Sequence, residues 1–110
     1  MANQFNNKLT RSVGTTSTLV YSTNSNTRAT VIGINIANIT PNTIYVDIIF
    51  VDGQNHEGYV SKNVEIASGT SLAAMGGDQK LVLVPNNSIK VVSSDANSVD
   101  VIVSALEITS

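Results

Sequence analysis

Residues 29–38, which read ATVIGINIAN, contain the clearest structural signal in the chain. Ile32, Ile34 and Ile36 alternate with small or polar residues, so one face of this segment is apolar. Successive side chains of a β-strand point to opposite faces, and the alternation therefore predicts a strand with the three isoleucines in the core. The many Val, Ile and Thr residues also favour strands, because β-branched side chains fit a pleated surface.

Similar segments lie on both sides of this one. Residues 43–51 and 99–108 alternate in the same way. Between them, Asp52-Gly53 predicts a hairpin turn with Gly53 in the positive-φ conformation. Residues 72–75 fit either a strand or a turn of helix, and the glycine pair that follows predicts a bend. Shorter strands are predicted at residues 8–13, 17–21, 56–62, 64–66, 79–84 and 88–93.

Together these segments predict an all-β fold. We expect a single-domain antiparallel β-sandwich, jelly-roll-like, with about seven to nine short strands. The domain would cover residues 1–110, the usual length of one domain, with residues 1–7 as a candidate flexible N-terminal arm.

The composition excludes several functions. The six basic residues are scattered and the net charge is −2, so no nucleic-acid partner is expected. The chain has no cysteine, which excludes disulfides and thiolate metal sites. It has no signal-peptide pattern and no apolar run near the roughly 20 residues of a membrane-spanning helix. We therefore expect no membrane partner, and a protein that stays in a cytoplasm until it assembles.

His56 is the sole histidine and the first candidate for catalysis. In the functional interpretation it is a general base oriented by Asp52 or Glu57. In the simpler interpretation, which we favour, it lies at a solvated hairpin tip. No nucleophile-elbow motif surrounds any serine. The sequence therefore predicts no enzyme activity and no catalytic residue.

Metal and phosphate sites are also disfavoured. A calcium site at Asp95, Asn97 and Asp100, or around Asp78, matches no EF-hand spacing. The glycines within residues 74–78 lack the pattern of a phosphate-binding loop. We predict no metal ligand and no cofactor.

The remaining signal lies in the surface. Only 13% of the residues are charged, and several strands have apolar residues on both faces. This pattern favours contacts between subunits in a homo-oligomer, although loops of the same chain are the alternative cover. The residues predicted at subunit interfaces are Phe5, Tyr45, Ile49, Val51, Ile102 and Leu106.

A module that binds glycans or a host surface is the alternative from another functional class. Such modules commonly stack sugar rings on exposed aromatic side chains. The chain has no tryptophan. This interpretation predicts that Tyr21, Tyr45 or Tyr59 is exposed in one cluster.

Six segments follow one another in a distinctive order along the chain. They are TLVYS at 18–22, the strand at 29–38, KNVEIASGTSL at 62–72, GGDQKLVL at 76–83, SIKVVSS at 88–94 and ALEIT at 105–109. In this order, the segments resemble small virion structural proteins of tailed bacteriophages. The polar loop at 23–27 departs from the family pattern, which often has a Pro-Ala-Gly turn there.

The resemblance implies an all-β, non-enzymatic virion protein, and it supplies no catalytic residues to transfer. Capsid decoration, or cementing, is the first expectation for its role. A neck, collar or tail-associated subunit is the alternative. The expected partners are other virion proteins, either the major capsid protein or neck and tail proteins, and the expected location is the virion.

Overall fold

The computed structural model describes residues 2–74 and 80–109. The described residues form nine strands, all of them in antiparallel pairs, which confirms the all-β prediction. The described part of the chain contains no helix that is long and apolar enough to cross a bilayer. The strands are β1 (Ala2–Val13), β2 (Thr18–Ser22), β3 (Thr27–Asn38), β4 (Ile44–Val51), β5 (Glu57–Ile66), β6 (Ser71–Ala73), β7 (Leu81–Leu83), β8 (Ser88–Ser93) and β9 (Val99–Thr109).

The strands form two sheets that pack as a sandwich. The five-stranded sheet has the order β1-β9-β3-β6, with β7 also paired to β3, and the four-stranded sheet has the order β2-β8-β4-β5. Strands β6 and β7 pair with different halves of β3, so each sheet has four strand positions. The chain crosses repeatedly from one sheet to the other, and this is the connectivity of a jelly roll.

The core lies between the two sheets and consists of aliphatic side chains. Its members come from both sheets and alternate with outward-facing residues along each strand, as the period of a strand requires. Val99, Val101 and Val103 are fully buried, as the alternation in the last strand predicted. The largest fully buried side chains include Ile34, Ile36, Ile44, Ile48, Leu83 and Ile89.

A β-bulge in β3 interrupts the alternation that was predicted for its isoleucines. The register with β9 shifts between Val31 and Gly33, so one extra residue is inserted into β3. Val31 and Ile34 are therefore buried, whereas Ile32 is 41% exposed. The prediction that Ile32 lies in the core with Ile34 and Ile36 was wrong, because a one-residue shift moves every following side chain to the opposite face.

The N-terminal residues also differ from the prediction. Residues 2–7 are the first part of β1 and pair in register with β9, from Ala2 opposite Thr109 to Asn7 opposite Ser104. They are not a flexible arm, because their backbone groups take part in the sheet. Their partner strand β9 lies between β1 and β3, which fixes the position of β1 at the edge of the sheet.

The turns lie where they were predicted, but some of their conformations differ from the prediction. The hairpin between β4 and β5 forms as expected, but its positive-φ residue is Asn55, at 64°, and not Gly53. Residues 64–66 continue β5 through a left-handed Asn63 instead of forming a separate strand. Residues 71–73 form a strand, whereas the predicted bend at the glycine pair 76–77 lies outside the described residues.

Candidate assembly surface

The outward surface of the five-stranded sheet exposes several apolar side chains. Leu106 on β9 lies directly opposite Phe5 on β1, and Ile102 lies directly opposite Leu9. Residues opposite each other in an antiparallel pair share a face, so these four side chains form one surface. We call this surface, with the neighbouring outward residues of β3, β6 and β7, the open face.

The open face is unusually exposed for an apolar surface. Phe5 is 74% exposed, Leu9 is 55% exposed and Ile102 is 42% exposed. Val82 on β7 is 61% exposed and lies opposite Thr30, which in turn lies opposite Leu106. Exposed apolar residues that are contiguous on one sheet are typical of a surface that binds another protein.

A shallow depression lies at the centre of the open face. Its volume is about 250 Å³, and Gly33, Ile102 and Ser104 are among its lining residues. A Cβ atom added to Gly33 would meet no heavy atom within 4 Å, so the glycine leaves open space on this side of the sheet. The depression gives a partner surface room to approach the backbone of β3.

A polar network connects the edge strand β1 to both sheets. The Tyr21 hydroxyl on β2 donates to Glu107 Oε2 on β9, and Asn6 Nδ2 on β1 donates to Glu107 Oε1 at 2.9 Å. Burial raises the pKa of Tyr21, and the hydrogen bond to Glu107 raises it further. Tyr21 is 4% exposed, so the network fixes β1 and its outward residues from the inner side of the sandwich.

The outward surface of the four-stranded sheet differs, and we call it the covered face. Ile49 and Val51 point outward on β4 but are only 8% and 6% exposed. Ile49 lies opposite Lys90 on one side and Tyr59 on the other. Val51 lies opposite Glu57 and Ser88. Both predicted interface residues are therefore buried among neighbours of the same chain and need no second subunit to be buried.

The three tyrosines of the glycan-binding alternative lie in two different places. Tyr45 and Tyr59 are 43% and 57% exposed on the covered face, whereas Tyr21 is buried in the network with Glu107. The Lys62 amino group lies 4.3 Å from the centre of the Tyr59 ring, where it occupies one face of that ring. Two of the three tyrosines are therefore exposed on the same side of the sandwich.

His56 does contact an acidic side chain. Its Nδ1 atom lies 3.3 Å from Asp52 Oδ2, but 76% of the His56 side chain is exposed. Backbone N–H groups of Gln54 and His56 donate to Asp52 Oδ1 at 2.8 and 3.0 Å, and they lower the pKa of Asp52. The carboxylate therefore closes the hairpin turn, which agrees with the simpler interpretation of this segment.

The acidic residues considered for calcium take part in turn hydrogen bonds. Asp100 Oδ1 accepts from the backbone N–H of Ser12 at 2.9 Å, and Asp95 Oδ1 accepts from the Ser94 hydroxyl at 3.0 Å. Within residues 2–74 and 80–109, no group of three acidic, histidine or cysteine residues is placed to hold a metal ion. Asp78, the other calcium candidate, lies outside the described residues.

Of the six predicted interface residues, the structure brings three together. Phe5, Ile102 and Leu106 share the open face, whereas Tyr45 lies on the opposite side of the sandwich. Sequence reasoning missed Leu9 and Val82, which are equally exposed. Leu9 was missed because β1 alternates weakly, although its i and i+4 spacing from Phe5 places both on one face of a strand.

Comparison with solved structures identifies relatives of the fold. The subunit of Bacillus endospore appendages, described as a novel family of disulfide-linked pili, matches with a TM-score of 0.59 and 14% identity, over 97% of this chain and 88% of that chain. A protein of the T13 particle of infectious bursal disease virus matches with a TM-score of 0.58 and 11% identity, over 97% of this chain. The VP2 protein of the same virus, in T=1 particles, gives a TM-score of 0.52 and 11% identity.

These likenesses establish the fold. This chain spans 31% of the T13 particle protein and 32% of VP2, so it corresponds to about a third of each virus protein. No protein-family model matches the sequence, and no curated protein matches it either. The Bacillus pili are disulfide-linked, whereas these 110 residues contain no cysteine and form no such link.

Proposed function

We propose that this chain is a non-enzymatic structural subunit of a repeating protein assembly. The open face carries this proposal, because it exposes contiguous apolar side chains on a rigid sheet. Phe5 at 74% and Leu9 at 55% exposure are far more exposed than aromatic and aliphatic residues need to be in an isolated sandwich. Burial of this face against other subunits removes that area from water.

The fold relatives support a structural role, since they come from a pilus and from virus particles. The side chains considered for chemistry serve local structure instead. Asp52 accepts backbone hydrogen bonds in a turn, and Asp100 accepts from the backbone of Ser12 on the neighbouring strand. The exposed apolar side chains lie across one face of a sheet, which suits protein contacts better than small-molecule binding.

The particle we propose is the virion of a tailed bacteriophage, on the basis of the resemblance of segments 18–22, 29–38 and 62–72 to small virion proteins. Within the virion we propose a decoration or cement role on the capsid, in contact with the major capsid protein. A neck, collar or tail-associated position is the alternative. Each copy would bury a modest area, and repeated copies on a lattice would add avidity.

Immunogold labelling of purified, intact particles from the source of this gene tests the proposal. Label over the head supports capsid decoration, and label at the neck or tail supports the alternative position. Mass spectrometry of the same particles supplies an independent readout of incorporation. Absence of both label and peptides from the particles would overturn the virion assignment.

A further inference from the structure

The register of the five-stranded sheet divides the open face into rows. Residues directly opposite each other across β1, β9 and β3 lie at one level, and the next outward residues lie one row away. The central row consists of Asn7, Ser104 and Gly33. All three are polar or small, so the middle of the face is low, and the depression at Gly33 lies there.

Apolar rows flank the central row on both sides. One row contains Phe5, Leu106, Thr30 and Val82. The other contains Leu9, Ile102, Asn35 and Ala73. On β1, β9 and β3, these rows and the central row contain no charged residue. Each flanking row therefore has an apolar residue on β1, an apolar residue on β9 and a polar residue on β3.

The outermost rows carry charges of opposite sign. Arg28 lies opposite Ile108 at one end, and Asp100 lies opposite Ala37 at the other. Arg11 lies in the bulge of β1 near the Asp100 end, at the level that corresponds to Asn3 on the other side of the centre. Lys80 precedes β7 at the rim of the face, where a long side chain reaches solvent.

If the open face is rotated by half a turn so that its two ends exchange places, each apolar row takes the position of the other apolar row. We propose that the open face binds the open face of a second copy of this chain, about a two-fold axis that lies in the interface, perpendicular to the strands, and passes along the central row. The inference rests on the proposed assembly role and deepens it. A self-complementary patch of this kind is what an isologous dimer requires.

The proposed axis pairs unlike rows. Phe5 of one copy faces Leu9 of the second, and Leu106 faces Ile102. Arg28 comes level with Asp100 of the second copy on the adjacent strand, so opposite charges meet at both ends of the interface. An axis parallel to the strands would instead bring Arg28 to the level of Arg28 of the second copy, and Asp100 to the level of Asp100. Like charges near each other at both ends disfavour that arrangement, and the charge pattern therefore favours the perpendicular axis.

Two asparagines on β1 provide a matched test of this geometry. Asn7 lies on the axis, next to its own counterpart, whereas Asn3 lies four residues away. Four residues of strand span about 13 Å, so the two copies of Asn3 would be about 26 Å apart. Both side chains are exposed on the same strand and face, and the chain has no other cysteine, so N7C and N3C are clean single-thiol variants.

The experiment treats each purified variant with a bismaleimide cross-linker of about 10 Å span, which matches the spacing of face-packed sheets. Denaturing gels then give the fraction of cross-linked dimer. We expect N7C to cross-link at least about tenfold more than N3C, because the interface holds the two thiols at high effective concentration. Circular dichroism melts of both variants verify that the fold is intact, and K62C on the covered face gives the background.

Each outcome decides the geometry. Equal cross-linking of N7C and N3C would overturn the perpendicular axis, since an axis along the strands puts both residues at the same distance from their counterparts. Background cross-linking of both would overturn the pairing of open faces and leave a different protein as the occupant. If particles contain the protein while N7C stays at background, the assembly role survives and this interface is wrong. If N7C cross-links but particles lack the protein, the virion role fails and the interface stands.

Discussion

The two outer faces of this sandwich both carry aliphatic residues on an inner strand, yet only one inner strand leaves them exposed. On β4 of the covered face, Ile49 and Val51 are 8% and 6% exposed. On β9 of the open face, Ile102 is 42% exposed. Both strands have a neighbour on each side, so the difference comes from the side chains of those neighbours. An outward aliphatic residue on an inner strand is available to a partner when no long side chain from an adjacent strand lies over it.

The neighbours can be named from the register. Lys90 on β8 and Glu57 on β5 reach toward each other across β4, with Nζ and Oε2 3.8 Å apart, and they cover the strand between them. Ile102 has Leu9 on one side and Asn35 on the other, and neither reaches across it. Long amphipathic side chains thus bury the aliphatic residues of β4 on the covered face, and a second subunit would bury those of the open face.

The largest expected effect compares Ile49→Ala with Ile102→Ala. Ile49 is buried within the chain, so its truncation should lower the free energy of unfolding by about 2–4 kcal/mol. Ile102→Ala should lower it by less than about 1 kcal/mol, because much of the side chain already contacts water. Urea unfolding at low protein concentration measures both. Equal losses would mean that the two faces are covered to the same degree.

The next largest expected effect is on the dimerisation constant, and it compares Phe5→Ala with Tyr59→Ala. Both remove an exposed aromatic side chain, one from each face. Phe5→Ala should weaken dimerisation by about ten- to hundredfold, since exposed aromatic anchors carry much of the energy of an interface. Tyr59→Ala should leave the dimerisation constant unchanged. Sedimentation equilibrium measures both dimerisation constants. Weaker dimerisation of Tyr59→Ala would mean that the dimer contact lies on the covered face and not on the open face.

The attachment of β1 gives a smaller, pH-dependent effect. Tyr21→Phe removes the hydrogen bond to Glu107 and should cost about 1 kcal/mol at neutral pH. Because burial raises the pKa of Tyr21 above its usual value of about 10, the neutral phenol is favoured in the folded chain. The stabilisation is complete below pH 10 and is lost as the pH rises through the raised pKa.

The stability gap between the parent chain and Tyr21→Phe should therefore narrow above about pH 10. Thermal melts at neutral pH and at pH 10–11 measure that gap. A gap that stays constant over this range would show that Tyr21 does not act through its hydroxyl proton.

The smallest effect tests the cover itself. Lys90→Ala removes the stem that flanks Ile49 and the surface ion pair with Glu57, and should cost about 0.5–1 kcal/mol. It should also raise the binding of a hydrophobic fluorescent dye, because the covered face becomes partly open. Lys62→Ala is the matched control, since Lys62 lies over the Tyr59 ring and not beside Ile49. Equal dye binding by both variants would contradict the covering role of Lys90.

Much of the fold was predictable from alternation alone. Parts of strands β4 and β9 alternate, and their buried residues Val46, Ile48 and Val101 were assigned correctly. Alternation failed at Ile32, because the bulge is set by pairing with β9; in residues 29–38 only Gly33 marks it, since a glycine inside a strand often accompanies a bulge. Alternation also failed at residues 2–7, which are mostly polar. Their backbone groups pair with β9, and this pairing does not depend on the hydrophobicity of the side chains.

The candidate site was predictable only in part. Ile102 and Leu106 were selected because they lie on the outer face of the last strand, and Phe5 was selected within the predicted N-terminal arm; the three do share one face. Ile49 and Val51 met the same criterion, yet they are covered by side chains from β5 and β8. In a jelly roll, the crossings between sheets decide which strands become neighbours. The side chains that cover a residue therefore come from other strands, and the sequence of its own strand does not reveal them.

The bulge at Val31–Gly33 has one more consequence, for insertions and deletions. On both sides of it, β3 keeps its pairing with β9, with β7 before the bulge and with β6 after it. The extra residue has no partner of its own in the ladder. Loss of Ile32 alone would leave every core residue of β3 on the side where it now lies, whereas a deletion elsewhere in the strand would turn half of the strand inside out. The bulge is therefore the one position in β3 where the length of the chain can change by one residue without changing what the sandwich buries.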